Sequence, residues 1–256
     1  MNILALGDVV GTEAVDYLAK HLWELRRRHA IDFVIANGEN ATDTRGVLPR
    51  DADALLDAGV DVVTLGNHTY GMREIYPYLD RETRVIRPAN YPAEAPGNGY
   101  TILKVDGFRI LCINVMGRAF LDPLASPFET VDRILARERG AYDFAVMDVH
   151  AEATSEKLAI ARDFDGKIAV MFGTHTHVQT ADEQVLPRGS GYITDLGMCG
   201  PQNGIIGTST EDVISRFRTM MPTRFHLAVG SIRAHGAIFS LDTNSGKVTS
   251  VKRVVF

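Results

Sequence analysis

Short aliphatic runs alternate with amphipathic segments along the first two thirds of the chain, and no other feature constrains its fold as strongly. The first five of these segments are residues 3–6, 13–29, 33–36, 50–58 and 62–65. Their order predicts a β-α-β-α-β arrangement with parallel strands. Right-handed crossovers between parallel strands bring the loops that follow the strands to one edge of a sheet. We therefore expect functional side chains in those loops.

The middle and the end of the chain add antiparallel strands to this pattern. Residues 100–105 and 108–114 flank Asp106-Gly107, a dipeptide typical of a hairpin turn. Crossovers supply outer helices and hairpins supply antiparallel strands, which predicts an α/β fold of two mixed β-sheets packed face to face with helices on the outside. We expect residues 1–256 to form a single domain. The other predicted segments are helices near residues 127–137 and 155–163 and strands at 144–149, 168–172, 225–229, 233–241 and 247–254.

Composition and charge argue against several classes of protein. The chain of 256 residues is 45% hydrophobic and 23% charged, as in ordinary globular proteins. Its net charge of -5 argues against an extended nucleic-acid surface. No segment approaches the roughly 20 apolar residues of a membrane span, so we expect no membrane partner. Cys112 and Cys199 are far apart in sequence, which favours free thiols and a cytoplasmic location.

Histidines follow two of the predicted strands. His175 and His177 come shortly after the apolar run 168–172, and His150 ends the run 144–149. Imidazole is a ligand for zinc, iron, manganese and similar ions, so this placement favours a metal site. The alternatives are two surface histidines at 175 and 177, and a buried His150 that is hydrogen-bonded to the backbone.

Carboxylate and amide side chains follow the first three predicted strands. Asp8 ends the first strand, Glu39 and Asn40 follow the second, and Asn67 and His68 follow the third. Singly, each has an ordinary alternative role as a helix cap, turn former or solvated loop residue. Together with the histidines they supply the mixed oxygen and nitrogen ligands that two first-row cations need, with a carboxylate able to bridge them.

Five short blocks carry a resemblance to a known family, and they are Gly7-Asp8, Gly38-Glu39-Asn40, Gly66-Asn67-His68, His150 and Gly173-Thr174-His175-Thr176-His177. In this order they resemble the calcineurin-like metallophosphoesterases, over nearly the whole chain. Residues 37–40, 150–157 and 173–182 resemble its YmdB-type branch more narrowly. Three positions depart from the wider family. Val10 stands in place of a histidine, Glu39 in place of a bridging aspartate, and Thr69 where an acid would orient His68.

The resemblance implies a four-layer metallophosphoesterase fold, a dinuclear metal centre and hydrolysis of 2′,3′-cyclic nucleotides such as 2′,3′-cyclic AMP. It implies two divalent or mixed-valence ions, with iron the first choice and manganese or zinc the alternatives. Glu39 is the implied bridge, Asn40 takes the place of the missing histidine ligand, and His68 is the implied general acid. The implied ligands are Asp8, Glu39, Asn40 and His177 for one metal, and Glu39, Asn67, His150 and His175 for the other.

Two other functions are compatible with the same residues. One is a non-catalytic regulator that keeps the metals and senses a nucleotide or docks a protein. The other is a phosphomonoesterase, 5′-nucleotidase or nuclease on the same centre. The expected partner is a small phosphodiester or nucleotide, and a homodimer or tetramer is compatible with the sequence. Arg118 and Phe120 could contact phosphate and a base, or could be a surface arginine and a phenylalanine anchored in the core.

Overall fold

The structure is a computed structural model that describes residues 1–43 and 45–256. Its helices are α1 (Thr12–Arg28), α2 (Pro49–Asp57), a 3-10 helix (Arg73–Ile75), α3 (Tyr76–Leu79), α4 (Pro127–Arg137), α5 (Thr154–Asp163) and α6 (Thr210–Thr219). Its strands are β1 (Asn2–Leu6), β2 (Asp8–Val9), β3 (Phe33–Asn37), β4 (Val62–Thr64), β5 (Val85–Ile86), β6 (Tyr100–Val105), β7 (Phe108–Met116), β8 (Phe144–His150), β9 (Val170–Thr174), β10 (Gln184–Val185), β11 (Gly191–Ile193), β12 (Met198–Pro201), β13 (Ile232–Asp242) and β14 (Lys247–Val255).

These strands form two mixed sheets. The first has the order β2-β12-β13-β1-β3-β4-β5, and β14 pairs with β13. Within it β1, β3, β4 and β5 run parallel, whereas β13 is antiparallel to β1, β12 and β14. The second sheet has the order β10-β11-β9-β8-β7-β6, with a parallel centre and an antiparallel strand at each edge. The predicted pair of mixed sheets is confirmed.

Successive residues of β1 face two different cores, as the alternation of side chains along a strand requires. Ile3 and Ala5 join a buried cluster that includes Phe144 and Phe172 of the second sheet. Leu4 and Leu6 join a separate cluster that contains the buried face of α1. A third cluster packs the outer face of the second sheet against α4 and α5. The layers are therefore helix, sheet, sheet and helix, as predicted.

The sequence pattern also explains the longest helix. Its buried residues are Ala14, Val15, Leu18, Leu22 and Leu25, and this three-to-four residue spacing places them on one face. Arg26, Arg27 and Arg28 lie in its last turn, where positive charge complements the helix dipole. Within the described part of the chain, no helix combines the length and apolarity that crossing a bilayer needs.

The structure corrects two predicted strands. Residues 225–229 do not form a strand, and the only ladder contact there is an isolated bridge from Thr208 to Leu227. The backbone of His226 donates to Asp212 at 2.9 Å instead of to a neighbouring strand, and Val229 is 86% exposed. The apolar residues of this segment thus do not belong to a sheet. The strand predicted at 168–172 runs from Val170 to Thr174.

Candidate metal centre

The seven side chains predicted as metal ligands lie together where the carboxyl ends of strands from both sheets meet. Asp8 belongs to β2, Glu39 and Asn40 follow β3, and Asn67 follows β4 in the first sheet. His150 is the last residue of β8, and His175 and His177 follow β9 in the second sheet. The face-to-face packing of the sheets therefore brings oxygen ligands from one sheet to nitrogen ligands from the other.

One group of ligand atoms surrounds Nε2 of His150. This nitrogen lies 3.1 Å from Oε1 of Glu39, 2.9 Å from Oδ1 of Asn67 and 3.1 Å from Nδ1 of His175. Candidate ligand atoms of Glu39, His150 and His175 all lie within 4.8 Å of one another. Two imidazole nitrogens, a carboxylate and an amide oxygen are a donor set suited to a first-row metal ion.

A second group of ligand atoms surrounds Nε2 of His177. Nε2 of His177 is 3.6 Å from Oδ1 of Asp8 and 3.5 Å from Nδ2 of Asn40. Oδ1 of Asp8 and Oδ1 of Asn40 are buried and have no hydrogen-bond partner among the described residues. Burial raises the pKa of Asp8 above its ordinary value. Buried acceptors without partners are costly, and a cation between them would satisfy both.

The loop that carries His175 and His177 has an unusual backbone. The φ angles are 99° at His175 and 63° at His177, in the left-handed region that few residues other than glycine occupy. The backbone N–H of His175 donates to Oδ2 of Asp8 at 3.0 Å, which ties this loop to the first sheet. Backbone strain of this kind costs about 1–3 kcal/mol per residue and is concentrated at functional sites.

Gly66 makes room for the ring of His150. A Cβ atom at position 66 would lie 2.3 Å from Nε2 of His150, closer than real contacts allow. A side chain there would displace the very atom around which the first group is built. This explains why a glycine precedes Asn67 and His68 in the motif.

Three hydrogen bonds orient the histidine rings. The hydroxyl of Thr174 donates to Oδ1 of Asp148 at 2.8 Å, so its oxygen is available to accept from Nδ1 of His150, at 2.9 Å. Nδ1 of His177 lies 2.9 Å from the carbonyl of Ile206, which makes Nδ1 the protonated nitrogen. In both rings Nε2 is left to face the centre. Such partners of metal-binding histidines orient the ring and raise its basicity.

The sequence analysis assigned no role to Asp148, Glu152, Thr174 or Ile206. Oε2 of Glu152 lies 3.1 Å from Nε2 of His175, so it faces the ring nitrogen opposite the one directed at His150. Asp148 had a usable signal, because it is a carboxylate within an otherwise apolar strand. Ile206 had none, since its backbone carbonyl makes the contact.

Charge and burial set the protonation of the centre in the metal-free protein. Burial opposes ionisation of Glu39, but the nearby His150 lowers the pKa of Glu39 to about 2. Burial also disfavours a charged His150, but Glu39, Asp8 and Asp148 raise the pKa of His150 to about 9. Burial and the charge of His150 lower the pKa of His175 to about 3. Glu39 and His150 thus form a buried ion pair beside a neutral His175.

His68 lies beside the ligands in the same pocket. Its backbone N–H donates to Oε2 of Glu39 at 2.8 Å, and its ring faces the side-chain amide of Asn67. Burial lowers the pKa of His68, while the charge of Glu39 acts in the opposite direction. The ion pairs that histidines make among the described residues do not include His68. Thr69 is not an acidic partner for His68, and none of these ion pairs supplies one.

The pocket over the ligands has a volume of about 300 Å³. Val10, Ile206 and Thr208 line it together with His68 and His177. Its size lies at the lower end of the range for small-molecule sites, roughly 300–1,000 Å³. Phe120, which the alternative interpretation placed in the core, is 90% exposed, so that part of the interpretation is wrong, whereas Arg118 is exposed as that interpretation stated.

Comparison with known proteins places the chain among bacterial relatives. The sequence profile of a family described as "YmdB-like protein" matches residues 4–254. A Bacillus subtilis (strain 168) protein named 2′,3′-cyclic-nucleotide 2′-phosphodiesterase is 40% identical over 255 residues, which cover 100% of this chain and 97% of that protein.

Solved structures of similar proteins agree with the family match. A hypothetical protein from Thermus thermophilus is 42% identical with a TM-score of 0.94, covering 100% of this chain and 99% of that one. A Mycoplasma pneumoniae protein described as a novel phosphatase is 31% identical with a TM-score of 0.94, covering 100% and 93%. Haemophilus influenzae NAD nucleotidase, at 14% identity and a TM-score of 0.62 over 55% of its length, shares the fold. The chain belongs to the YmdB-like protein family, as its sequence motifs predicted.

Proposed function

We propose that the chain is a dinuclear metal-dependent phosphodiesterase that hydrolyses 2′,3′-cyclic nucleotides. The enzyme class follows from the B. subtilis relative, whose name is that of a phosphodiester hydrolase. The observation that carries the proposed dinuclear centre is the presence of two groups of ligand atoms in one site. One group surrounds Nε2 of His150, and the other contains the unpartnered oxygens of Asp8 and Asn40.

The proposed ligand sets follow these two groups. Asp8, Asn40 and His177 would hold one cation, and Asn67, His150 and His175 the other, with Glu39 shared. The mixed oxygen and nitrogen donors favour iron or manganese and also suit zinc, whereas calcium and magnesium prefer oxygen alone. When bound, two such cations activate water near neutral pH and neutralise charge on phosphate oxygens.

The protein's own residues would bind the substrate and move one proton. Hydrolysis adds water across the bond between phosphorus and the 2′ oxygen: hydroxide joins phosphorus, and the departing 2′ oxygen needs a proton. His68 lies in the pocket beside the ligands and is the proposed donor. The product is then the nucleoside 3′-monophosphate. Val10 and Ile206 offer the sugar or base an apolar wall.

An assay on a panel of phosphate esters tests this proposal. Metal-loaded protein should hydrolyse 2′,3′-cyclic AMP to 3′-AMP faster than it hydrolyses 3′,5′-cyclic AMP or the monoesters 2′-AMP, 3′-AMP and 5′-AMP. Chelation should abolish turnover, and refilling with iron, manganese or zinc should restore it. Turnover of monoesters alone would replace the proposal with a phosphomonoesterase. Tight binding of 2′,3′-cyclic AMP without any turnover would replace it with a non-catalytic regulator.

The substrate partner is thus a small nucleotide, and we propose that residues 1–256 act as one domain in the cytoplasm. Cys112 and Cys199 are buried and unpaired, as expected for a reducing compartment. The dimer or tetramer stays a prediction that a measurement of mass in solution would test.

A further inference from the structure

A second and larger cavity lies apart from the metal centre. Its volume is about 740 Å³, and it is bounded by α4, the loop at residues 123–125 and the segment between β5 and β6. Among the described residues, none lines both this cavity and the pocket over the metal ligands. A volume of this size is typical of sites for drug-sized ligands.

The wall of this cavity is positively charged. Arg87, Arg133 and Arg137 line it, and the described lining residues include no aspartate or glutamate. The chain as a whole carries a net charge of -5, so this concentration of positive charge runs against its overall balance. A concave site that is lined by one sign of charge attracts ligands of the opposite sign.

Arg87 is buried in that wall. It is 6% exposed, and its guanidinium donates to the backbone carbonyls of Pro88, Pro92, Ala95 and Pro96 at 2.9, 3.4, 3.4 and 3.2 Å. Among the described residues it forms no ion pair with a carboxylate. The positive charge of Arg87 is therefore not neutralised by a carboxylate, and it adds to the attraction of the cavity for an anion.

Arg133 and Arg137 lie one helical turn apart on α4 and so project from the same side of the helix. Arg133 donates to the hydroxyl of Thr130 at 3.2 Å, which holds its guanidinium beside the cavity. Arg137 lies 3.4 Å from Glu138, whose carboxylate also accepts from the hydroxyl of Tyr100 at 2.7 Å. Paired guanidinium groups suit a phosphate, because their planar forks donate several hydrogen bonds to its oxygens.

Aromatic and apolar side chains also line the cavity. Tyr91, Pro92 and Leu124 face the cavity together with Tyr100. The ring of Tyr91 packs edge-on against Tyr70, with ring centroids 5.3 Å apart and an angle of 89°, which restricts its orientation. Held aromatic rings offer a face on which a planar base can stack.

We propose that this cavity is a second nucleotide site that binds a nucleoside monophosphate, with the phosphate at Arg133 and Arg137 and the base against Tyr91. The chemistry of the wall supports both halves of such a ligand, since the arginines suit the phosphate and the tyrosines suit the base. The site goes beyond the proposed reaction and does not rest on it, because it uses none of the metal ligands.

Calorimetric titration of metal-loaded protein with adenosine 5′-monophosphate tests this inference. We expect a binding event in wild-type protein that weakens about tenfold or more in the double variant Arg133→Ala/Arg137→Ala. Both side chains are exposed on α4, so the variant should fold. The matched control is Arg139→Ala, an exposed arginine two residues further on that does not line the cavity. Hydrolysis of 2′,3′-cyclic AMP should be unchanged in both variants.

Two further measurements locate the ligand and identify its parts. Crystals soaked in 8-bromoadenosine 5′-monophosphate should show the anomalous signal of bromine beside Tyr91. Inorganic phosphate alone should bind at least about tenfold more weakly than the nucleotide. Equal affinity for phosphate and nucleotide, or equal nucleotide binding by the double variant, would overturn the proposal. A protein that binds the nucleotide here but hydrolyses no cyclic nucleotide would refute only the proposed reaction.

Discussion

Nζ of Lys157 lies 2.7 Å from Oδ2 of Asp195, and both side chains are fully buried beneath the loop that carries the paired histidines. The same carboxylate accepts the backbone N–H of Thr176 at 3.2 Å and that of Gly197 at 2.9 Å. Thr176 stands between His175 and His177. The ion pair therefore supports the strained backbone that aims both imidazoles at the centre.

Replacing Lys157 with methionine should destabilise the fold and weaken metal binding. The change leaves the charge of Asp195 buried without a partner, which costs about 3–5 kcal/mol of unfolding free energy. Urea unfolding and metal titration would measure both effects. Lys167→Met is the control, since Lys167 is half exposed and 3.9 Å from Asp132, and its loss should cost at most about 1 kcal/mol. Wild-type metal affinity in the Lys157 variant would show that the pair does not position the loop.

Gly66→Ala should disrupt the centre through a direct clash. Its new Cβ would lie 2.3 Å from Nε2 of His150, so the ring or the loop must move. Such overpacking costs typically about 1–3 kcal/mol, and we expect reduced metal occupancy in addition. Gly71→Ala is the control, because the nearest atoms to a Cβ there are 3.2 Å away and need to move by only a few tenths of an ångström. Elemental analysis would measure the metal content of both variants. Full metal occupancy in Gly66→Ala would contradict the prediction.

Thr174→Val should lower metal affinity by about 10–100-fold, the usual effect of losing a partner that orients a metal-binding histidine. Valine has a similar shape but cannot accept from Nδ1 of His150 or donate to Asp148. Thr174→Ser keeps the hydroxyl and should retain most of the affinity. Competition with a chromophoric chelator would compare the two variants, and equal affinities would exclude this role for the hydroxyl.

Metal binding should release protons near neutral pH. The pKa of His150 is about 9 in the metal-free protein, because Glu39 and the nearby aspartates outweigh the effect of its burial. A metal on Nε2 requires the neutral ring, so affinity should rise about tenfold per pH unit from pH 7 towards 9. Calorimetry in two buffers with different heats of ionisation should find close to one proton released per chain at pH 7.

The same group affects the stability of the metal-free protein. The pKa of His150 in the folded state lies above its ordinary value of 6.5. The contribution of the charged His150 ring to the free energy of unfolding is therefore fully present below pH 6.5 and is lost as the pH rises through about 9. A metal-free His150→Gln variant should show a smaller fall in unfolding free energy between those pH values. An identical fall in variant and wild type would contradict the assignment.

His68→Ala should reduce turnover by about 100-fold or more while leaving two metals bound, as expected when a general acid is removed. His68 contributes its backbone N–H to Glu39, and alanine keeps that contact. The control is His21→Ala on the exposed side of α1. Loss of metal from the His68 variant would instead assign the ring a structural role.

Much of the fold and of the centre could be predicted from the sequence. The hairpin across Asp106-Gly107 has the predicted turn, and both residues have positive φ angles. Short strands such as β2, β5 and β10 were missed, because two residues carry no periodicity. The strand predicted at 225–229 was wrong because its apolar residues have no neighbouring strand to pair with, and Leu227 packs against Gly11 instead.

The sequence by itself determined the residue types at the strand ends, since hydrophobic alternation marks where each strand stops and a polar residue there stands out. Only the tertiary structure decided that these ends converge from two separate sheets at one site. It alone also brought Lys157 to Asp195 and the three arginines to one cavity. The reason is physical: local periodicity reports on neighbours a few residues apart, whereas these contacts depend on how distant elements pack.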